Sequence, residues 1–436
     1  MSNIIDAVYL TALVCGSPYF ISKFLVNKRY RAGLKQRLGW VDIKKVKKKR
    51  IWIHCASVGE ILTAKEFIKC LENEFNELDV VISANTSTGL SVAQKNFKDK
   101  DIFYFPLDLS WVVNRVLNII QPDFIFLVEL EIWPNFIMSA VRRRIPIALI
   151  NARISGKSLK WYNMLNKISN NFLESLTKKE NVFCARTKTD ANRLIKLGIP
   201  ETQIFTTGNM KFDNIVTGVP EYTMKQLQSL LEISDEDKIL VCGSTHEGEE
   251  VILLRIYSQL LTKFNRLRLV LVPRRIERIE SIIKLIESRG FSCIRKTSLD
   301  NGNKVGNQKY KTVVLVDTMG ELLNIYSIAD CVFVGKSLVP YGGQNIMEPA
   351  GLARPIIVGP HTFNFAEEVQ LLKEANAIRI VHDESSLLKE IVFLLEHPEE
   401  AKEMGERAQA VVLKQRGASI RNLEILKEFL FKERIV

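Results

Sequence analysis

From residue 51 onward, short apolar runs alternate with stretches of helical pattern. Runs of strand length fall at residues 51–55, 80–84, 102–105, 124–128, 147–150, 182–184 and 204–206. They are almost continuously apolar, as expected of parallel strands covered on both faces of a sheet. Residues 210–220 interrupt the pattern with Gly, Asn, Asp and Pro, and a polar helix follows, so a linker is expected there. A second series occupies 239–242, 267–272, 312–316, 331–334, 355–358 and 377–380, with a polar loop at 300–308 and closing helices through 399–431. The pattern predicts an α/β fold of two doubly wound sheets in tandem, with ligands in the cleft outside the carboxyl ends of the strands. The expected organisation is a membrane anchor at 1–27, Rossmann-like domains at 28–215 and 216–400, and closing helices at 401–436.

The amino terminus breaks this rhythm. Residues 4–26 are mostly apolar and about long enough to cross a bilayer, although Asp6, Gly16, Pro18 and Lys23 interrupt them. No basic region precedes them and no small-residue cleavage site is evident, which disfavours a secretory signal peptide. Lys28, Arg29, Arg31, Lys35 and Arg37 follow, and residues 44–50 hold six basic side chains in seven. That asymmetry predicts a catalytic body on the cytoplasmic side, with the basic stretch against anionic lipid. The segment is expected either to span the bilayer or to lie in its interface.

Composition narrows the choice. With 47% hydrophobic and 25% charged residues, the chain is a folded globular protein. A net charge of +12 favours anionic partners, though part of the excess is solvated surface. The seven cysteines are widely spaced and form no C-x-x-C pair, so they read as reduced core residues. The five histidines show no metal-binding spacing, and no metal or cofactor is expected. Neither a P-loop nor a G-x-G-x-x-G after the first strand is present, which disfavours a nucleoside-triphosphate hydrolase and a nicotinamide enzyme.

One local pattern recurs at four expected strand-to-helix turns: Ser57 with Glu60, Ser244 with Glu247, Thr318 with Glu321, and Asn345 with Glu348. Ser, Thr or Asn followed three residues later by Glu can be a helix capping box and nothing more. The carboxyl end of a parallel strand is also where α/β enzymes place their chemistry, and helix starts there bind phosphate.

Read in order, the turns form a set: His54 to Glu60 (HCASVGE), Glu131 to Asn135 (EIWPN), Asn151 to Arg153, Gly208 to Asp213 (GNMKFD), Gly243 to Thr245, Pro273–Arg274, Asp317 to Glu321 (DTMGE), and Gly342 to Pro349 (GGQNIMEP). This set resembles the 3-deoxy-D-manno-octulosonic acid (Kdo) transferases over essentially the whole chain. The resemblance implies a GT-B fold and inverting, metal-independent transfer of Kdo from CMP-Kdo to a lipid A precursor (lipid IVA). It also implies an anchor in the bacterial inner membrane. Glu60 matches the general base, whose task is to take the proton of an acceptor hydroxyl. A helix start would favour its ionised form and weaken it as a base. Glu131 and Lys211 match transition-state stabilisers. Three stretches match contacts to CMP: Pro273 and Arg274; Met319, Gly320 and Glu321; and Asn345, Ile346, Met347 and Glu348. Trp133, Pro134 and Asn151 are read as turn-shaping residues. Gln344, Arg275 and Lys336 depart from the family's usual residues and bear on the shape of the donor site.

Two other readings stand beside this one. The first is a GT-B transferase that uses a UDP-sugar on a membrane acceptor. The second is a basic, membrane-attached binding protein for nucleic acid or acidic lipid. The chain lacks the aromatic and basic stripe of single-strand binders, so nucleic acid is not an expected partner.

Overall fold

The computed structural model describes residues 5–7, 9–11, 32–168, 171–306 and 308–428. Most of the expected anchor at 1–27, and the end of the closing helices beyond 428, lie outside the described residues. Among the described residues no helix is long and apolar enough to cross a membrane. The chain divides into two compact units, Met1–Asn214 with Gln415–Val436, and Ile215–Lys414.

The first unit is built on seven strands: β1 (Lys49–His54), β2 (Leu78–Ala84), β3 (Asp101–Tyr104), β4 (Phe124–Val128), β5 (Ile147–Ala152), β6 (Val182–Ala185) and β7 (Ile204–Thr206). All pair in parallel, in the order β3-β2-β1-β4-β5-β6-β7. Both faces are covered, because alternate residues of each strand enter different cores. Trp52, Ile125 and Leu127 pack with Phe136 and Leu117 on one face. Ile51, Ile53, Phe124 and Phe126 pack with Phe67 and Leu71 on the other. This double burial is why the strands read as unbroken apolar runs.

The chain's last described helix, Ala418–Leu426, completes the second of these cores with Ala418, Leu423 and Leu426. Gly417, at a left-handed φ of 88°, turns the chain into it. The Asp213 carboxylate then accepts from the backbone N–H groups of Gly417 and Ser419 at 2.6 Å each. The preceding helix, Pro398–Gln415, packs mainly with the second unit.

The second unit repeats the design with β8 (Lys238–Thr245), β9 (Leu267–Pro273), β10 (Ser292–Arg295), β11 (Thr312–Leu315), β12 (Cys331–Val334), β13 (Ile356–Val358) and β14 (Arg379–Ile380). Its order is β10-β11-β9-β8-β12-β13-β14. Strand β10 was not expected from the pattern. It is a partly exposed edge strand, Ser-Cys-Ile-Arg, and has no apolar run to reveal it. The expected linker begins inside the first unit instead. Met210–Asn214 is a 3-10 turn with Met210 and Phe212 buried.

Gly405 lies in Pro398–Gln415, where a β-carbon would come within 2.0 Å of the Ala353 carbonyl oxygen. Alanine is the better helix former by about 1 kcal/mol. Gly405→Ala is nevertheless expected to destabilise the second unit by about 1–3 kcal/mol, the usual cost of overpacking. Thermal or urea denaturation measures it, and a stabilised variant contradicts the close contact.

Candidate active site

In each unit the strand order reverses beside the first strand, and the candidate residues lie on turns at the carboxyl ends of the strands, most of them near that point. In the first unit the reversal lies between β1 and β4. The turn after β1 carries Glu60, and the turn after β4 carries Glu129, Glu131 and Trp133.

Glu60 stands in the first turn of the helix Val58–Glu74. Its Oε2 accepts from Ala56 N–H at 2.6 Å, and its Oε1 accepts from the Ser57 hydroxyl at 3.0 Å. Burial pushes its pKa up to about 7, and the charges of Glu131 and Glu129 push the same way against those two hydrogen bonds. The expectation from the helix start is therefore corrected. Desolvation and two like charges outweigh the helix N-terminus, and Glu60 is a stronger base than an ordinary glutamate.

Glu131 Oε2 accepts from Trp133 Nε1–H at 2.9 Å and Asn85 Nδ2–H at 3.3 Å, and His54 Nε2 lies 3.3 Å from the same oxygen. Trp133 thus does more than shape a turn. Lys211 Nζ pairs with Glu129 Oε1 at 3.2 Å, a partner the motifs did not single out. A left-handed φ of 63° directly after β4 marks Glu129 in the structure, a signal that motif spacing does not carry. Asn151, also left-handed at φ 52°, is buried, and its side-chain oxygen accepts from Met210 N–H at 2.9 Å. It therefore braces the turn that presents Lys211. Arg153 is exposed.

Asp108 was also missed. It accepts from the N–H groups of Asn135 (3.1 Å) and Phe136 (2.8 Å), at the start of the helix Pro134–Arg142, and from the Tyr9 hydroxyl (3.2 Å). Burial raises its pKa to about 7. The Asn135 amide also donates to Asp6 at 2.9 Å, which ties the described amino-terminal residues to this helix.

In the second unit the reversal lies between β8 and β12. Arg274 follows β9, with its N–H on the Thr245 carbonyl at 3.0 Å and its side chain exposed. Pro273 is buried. Burial raises the Glu348 pKa, while the Asn345 hydrogen bond and the Arg274 charge lower it, so the Arg274 and Glu348 charges act on each other. Asn345 donates to Glu348 at 3.0 Å and accepts from Met347 N–H at 3.1 Å. Ile346 and Met347 are buried at 1% and 4% exposure, so their side chains face the core. Met319 is exposed, and Gly320 is left-handed at φ 88°. Glu321 accepts from Thr318 at 2.5 Å and pairs with the buried Lys296 at 2.6 Å. A cavity of about 510 Å³ adjoins them, lined by Glu321, Lys296, Asn324 and residues of the helix Glu221–Leu230.

None of the four Ser/Thr/Asn-x-x-Glu turns is a capping box, and of those side chains only Asn345 accepts an N–H at a helix start, that of Met347. In three of them the side chain donates to the glutamate instead, as Ser57, Thr318 and Asn345 do. In the fourth, Glu249 rather than Glu247 is the central carboxylate. It is fully buried and accepts backbone N–H bonds from His246, Lys336, Ser337 and Leu338 at 2.6–3.0 Å.

A profile described as 3-deoxy-D-manno-octulosonic-acid transferase (kdotransferase) matches residues 32–214. A 3-deoxy-D-manno-octulosonic acid transferase of Haemophilus influenzae is 33% identical over 408 residues, covering 93% of each chain. One from Chlamydia muridarum is 28% identical over 98% of this chain and 97% of its own. The solved UDP-GlcNAc 2-epimerase of Neisseria meningitidis, 15% identical, shares the fold with a TM-score of 0.57 over 88% of this chain and all (100%) of its own. Two doubly wound parallel units, with the candidate polar groups at the carboxyl ends of their strands, give the chain a GT-B fold, and its similarity to these transferases makes it a glycosyltransferase. Within that class, the chain belongs to the 3-deoxy-D-manno-octulosonic acid transferase family.

The crowding around Glu60 yields a pH prediction. Its folded pKa of about 7 lies above the ordinary 4.5, so the base form is reached only as pH climbs through 7. Activity is expected to rise along a limb near pH 7. Glu129→Gln removes a like charge and frees Lys211, which moves the limb to lower pH. The same sign governs stability, because the cost of ionising Glu60 grows from pH 4.5 to above 7. Glu60→Gln is therefore expected to raise the melting temperature at pH 8 relative to pH 5. Rate profiles and melts at several pH values decide both points.

Proposed function

We propose that this chain transfers Kdo from CMP-Kdo to a tetra-acylated lipid A precursor, with inversion, at the cytoplasmic face of the inner membrane. The observation that carries the reading is Glu60, a carboxylate with proton affinity near neutrality at the strand reversal of the first unit. The acceptor oxygen attacks the anomeric carbon of the sugar as the bond from that carbon to the phosphate oxygen breaks. Glu60 takes the hydroxyl proton while the new bond forms. Lys211, held by Glu129, supplies positive charge for the departing phosphate, and Glu131 steadies the reacting centre.

In the second unit, the exposed Arg274 offers a fork for phosphate. Glu348 offers acceptor oxygens for the ribose hydroxyls, and the Met319–Gly320–Glu321 turn presents open backbone. Gly342 is essential to this shape, since a β-carbon there would meet the Phe363 ring at 2.5 Å.

The membrane reading draws on the surface of the first unit. Lys44, Lys45, Lys47 and Lys48 are exposed. Arg50, expected to join them, instead turns inward to Asp79 and the Ile120 carbonyl. Trp40 and Trp111 are 56% and 50% exposed, and the Arg115 guanidinium lies 4.8 and 6.0 Å from their rings. Exposed tryptophans beside cations suit a headgroup interface.

The decisive assay is mass spectrometry of the product formed from CMP-Kdo and the tetra-acylated precursor. A lipid heavier by one or more Kdo residues is expected. Glu60→Gln should lower the rate about 10²- to 10⁴-fold, the usual share of general base catalysis. Turnover with a UDP-sugar and not with CMP-Kdo overturns the donor assignment. Separately, replacing Trp40 and Trp111 together by alanine should weaken binding to anionic vesicles about tenfold. Unchanged vesicle binding removes this surface from the membrane reading.

A further inference from the structure

The first unit holds a buried polar chain that the transfer steps leave unused. Trp52, His54 and Ser83 are all 0% exposed. Trp52 Nε1 lies 2.7 Å from Ser83 Oγ, which lies 2.9 Å from His54 Nδ1, and His54 Nε2 lies 3.3 Å from Glu131 Oε2. The His54 ring stacks on Phe105 with centroids 3.8 Å apart, which fixes its plane.

Counting hydrogens assigns a direction to each link. The indole N–H is a donor only, so Ser83 Oγ accepts from Trp52. The Ser83 hydroxyl hydrogen then needs an acceptor, and His54 Nδ1 is in reach. The Ser83 carbonyl lies 3.2 Å from Nδ1 and also accepts from Cys55 N–H at 3.0 Å, so it is the Ser83 hydroxyl hydrogen that decides the tautomer. With Nδ1 accepting, the ring hydrogen sits on Nε2 and points at Glu131. The other tautomer would set an Nε2 lone pair against a carboxylate oxygen and leave the Ser83 hydroxyl without an acceptor among the described residues.

We infer that His54 is a positioning residue for the transfer, holding Glu131 through an Nε2–H bond whose tautomer is imposed from the sheet interior by Ser83 and Trp52. The inference rests on the reading of Glu131 as a group at the reacting centre. Asn85 and Trp133 are half-buried donors to the same Oε2, and the Trp133 ring also packs near Phe105. His54 differs because its ring is immobilised by stacking and by a hydrogen bond on its far side. All three contacts fall on Oε2. Such outer partners orient the groups that touch substrate, and their bonds shorten when substrate closes the site.

Substitutions that mimic one ring nitrogen at a time test this. His54→Gln places an amide N–H near the position of Nε2. His54→Asn places its amide near Nδ1 and abandons Glu131. His54→Asn is expected to lower kcat about 10- to 100-fold, the weight of a hydrogen bond to a charged group, with KM for either substrate within about twofold. His54→Gln should recover most of that loss. On a Glu131→Gln background, His54→Asn should cost nothing further.

Three results overturn the inference: equal losses in the two His54 variants, a loss confined to KM, or a full additional loss on the Glu131→Gln background. Wild-type activity in Glu131→Gln alone rejects the reading of Glu131, and the relay with it. A clear loss there with normal kcat in His54→Asn rejects the relay alone. Should His54→Asn fail to fold, Ser83→Ala decides, since it keeps the ring and removes only the hydroxyl. A lower kcat at unchanged KM supports the relay, and wild-type kcat overturns it.

Discussion

Three carboxylates share the strand reversal of the first unit, and the local structure is organised around the cost of keeping them there. Glu60, Glu129 and Glu131 act on one another strongly enough that burial and mutual repulsion carry Glu60 to a pKa of about 7. Glu129 is offset by Lys211, and Glu131 by three N–H donors converging on one oxygen. Glu60 has only a backbone N–H and a serine hydroxyl. Those two bonds do not offset the burial of Glu60 and the two like charges beside it, which is why its proton affinity is raised.

Backbone strain marks the same places. Glu129, Asn151, Ser244 and Lys336 are non-glycine residues with φ between 52° and 63°. They lie at the carboxyl ends of β4, β5, β8 and β12, the central strands of the two sheets. Each such residue costs of order 1–3 kcal/mol, and it persists because neighbouring bonds overdetermine it. Asn151 is held by Met210 N–H. Lys336 is held by the buried Glu249, which gathers N–H groups from the ends of both β8 and β12. Burial and the cations Arg278, Arg275 and Lys336 together lower the pKa of His246. Positive charge thus gathers around one histidine beside the second reversal.

Much of the fold was legible in the chain. Strands buried on both faces must be apolar at nearly every position, and among the described residues every strand but β10 left a run that could be read, the partly exposed edge strands β7 and β14 included. Edge strand β10 did not, because one-sided, partial burial does not demand such a run. The return of Ala418–Leu426 to the first unit was also invisible. Its apolar face would suit any core, and what directs it is Asp213, some two hundred residues earlier in the chain.

The sequence alone determined which residue types stand at the strand ends, and the ordered set of those turns identified the family. It could not distinguish a capping glutamate from a reactive one, since both obey the same three-residue spacing. That distinction came from where each carboxylate sits. Proton affinity depends on desolvation and on charges brought close from distant segments, such as Glu60 beside Glu129 and Glu131, or Lys211 beside Glu129. The partners of His54 and Glu131 likewise come from β1, the ends of β2 and β4, and the turn that follows. Local spacing sets what a side chain is, whereas its chemistry is set by neighbours that only the folded sheet assembles.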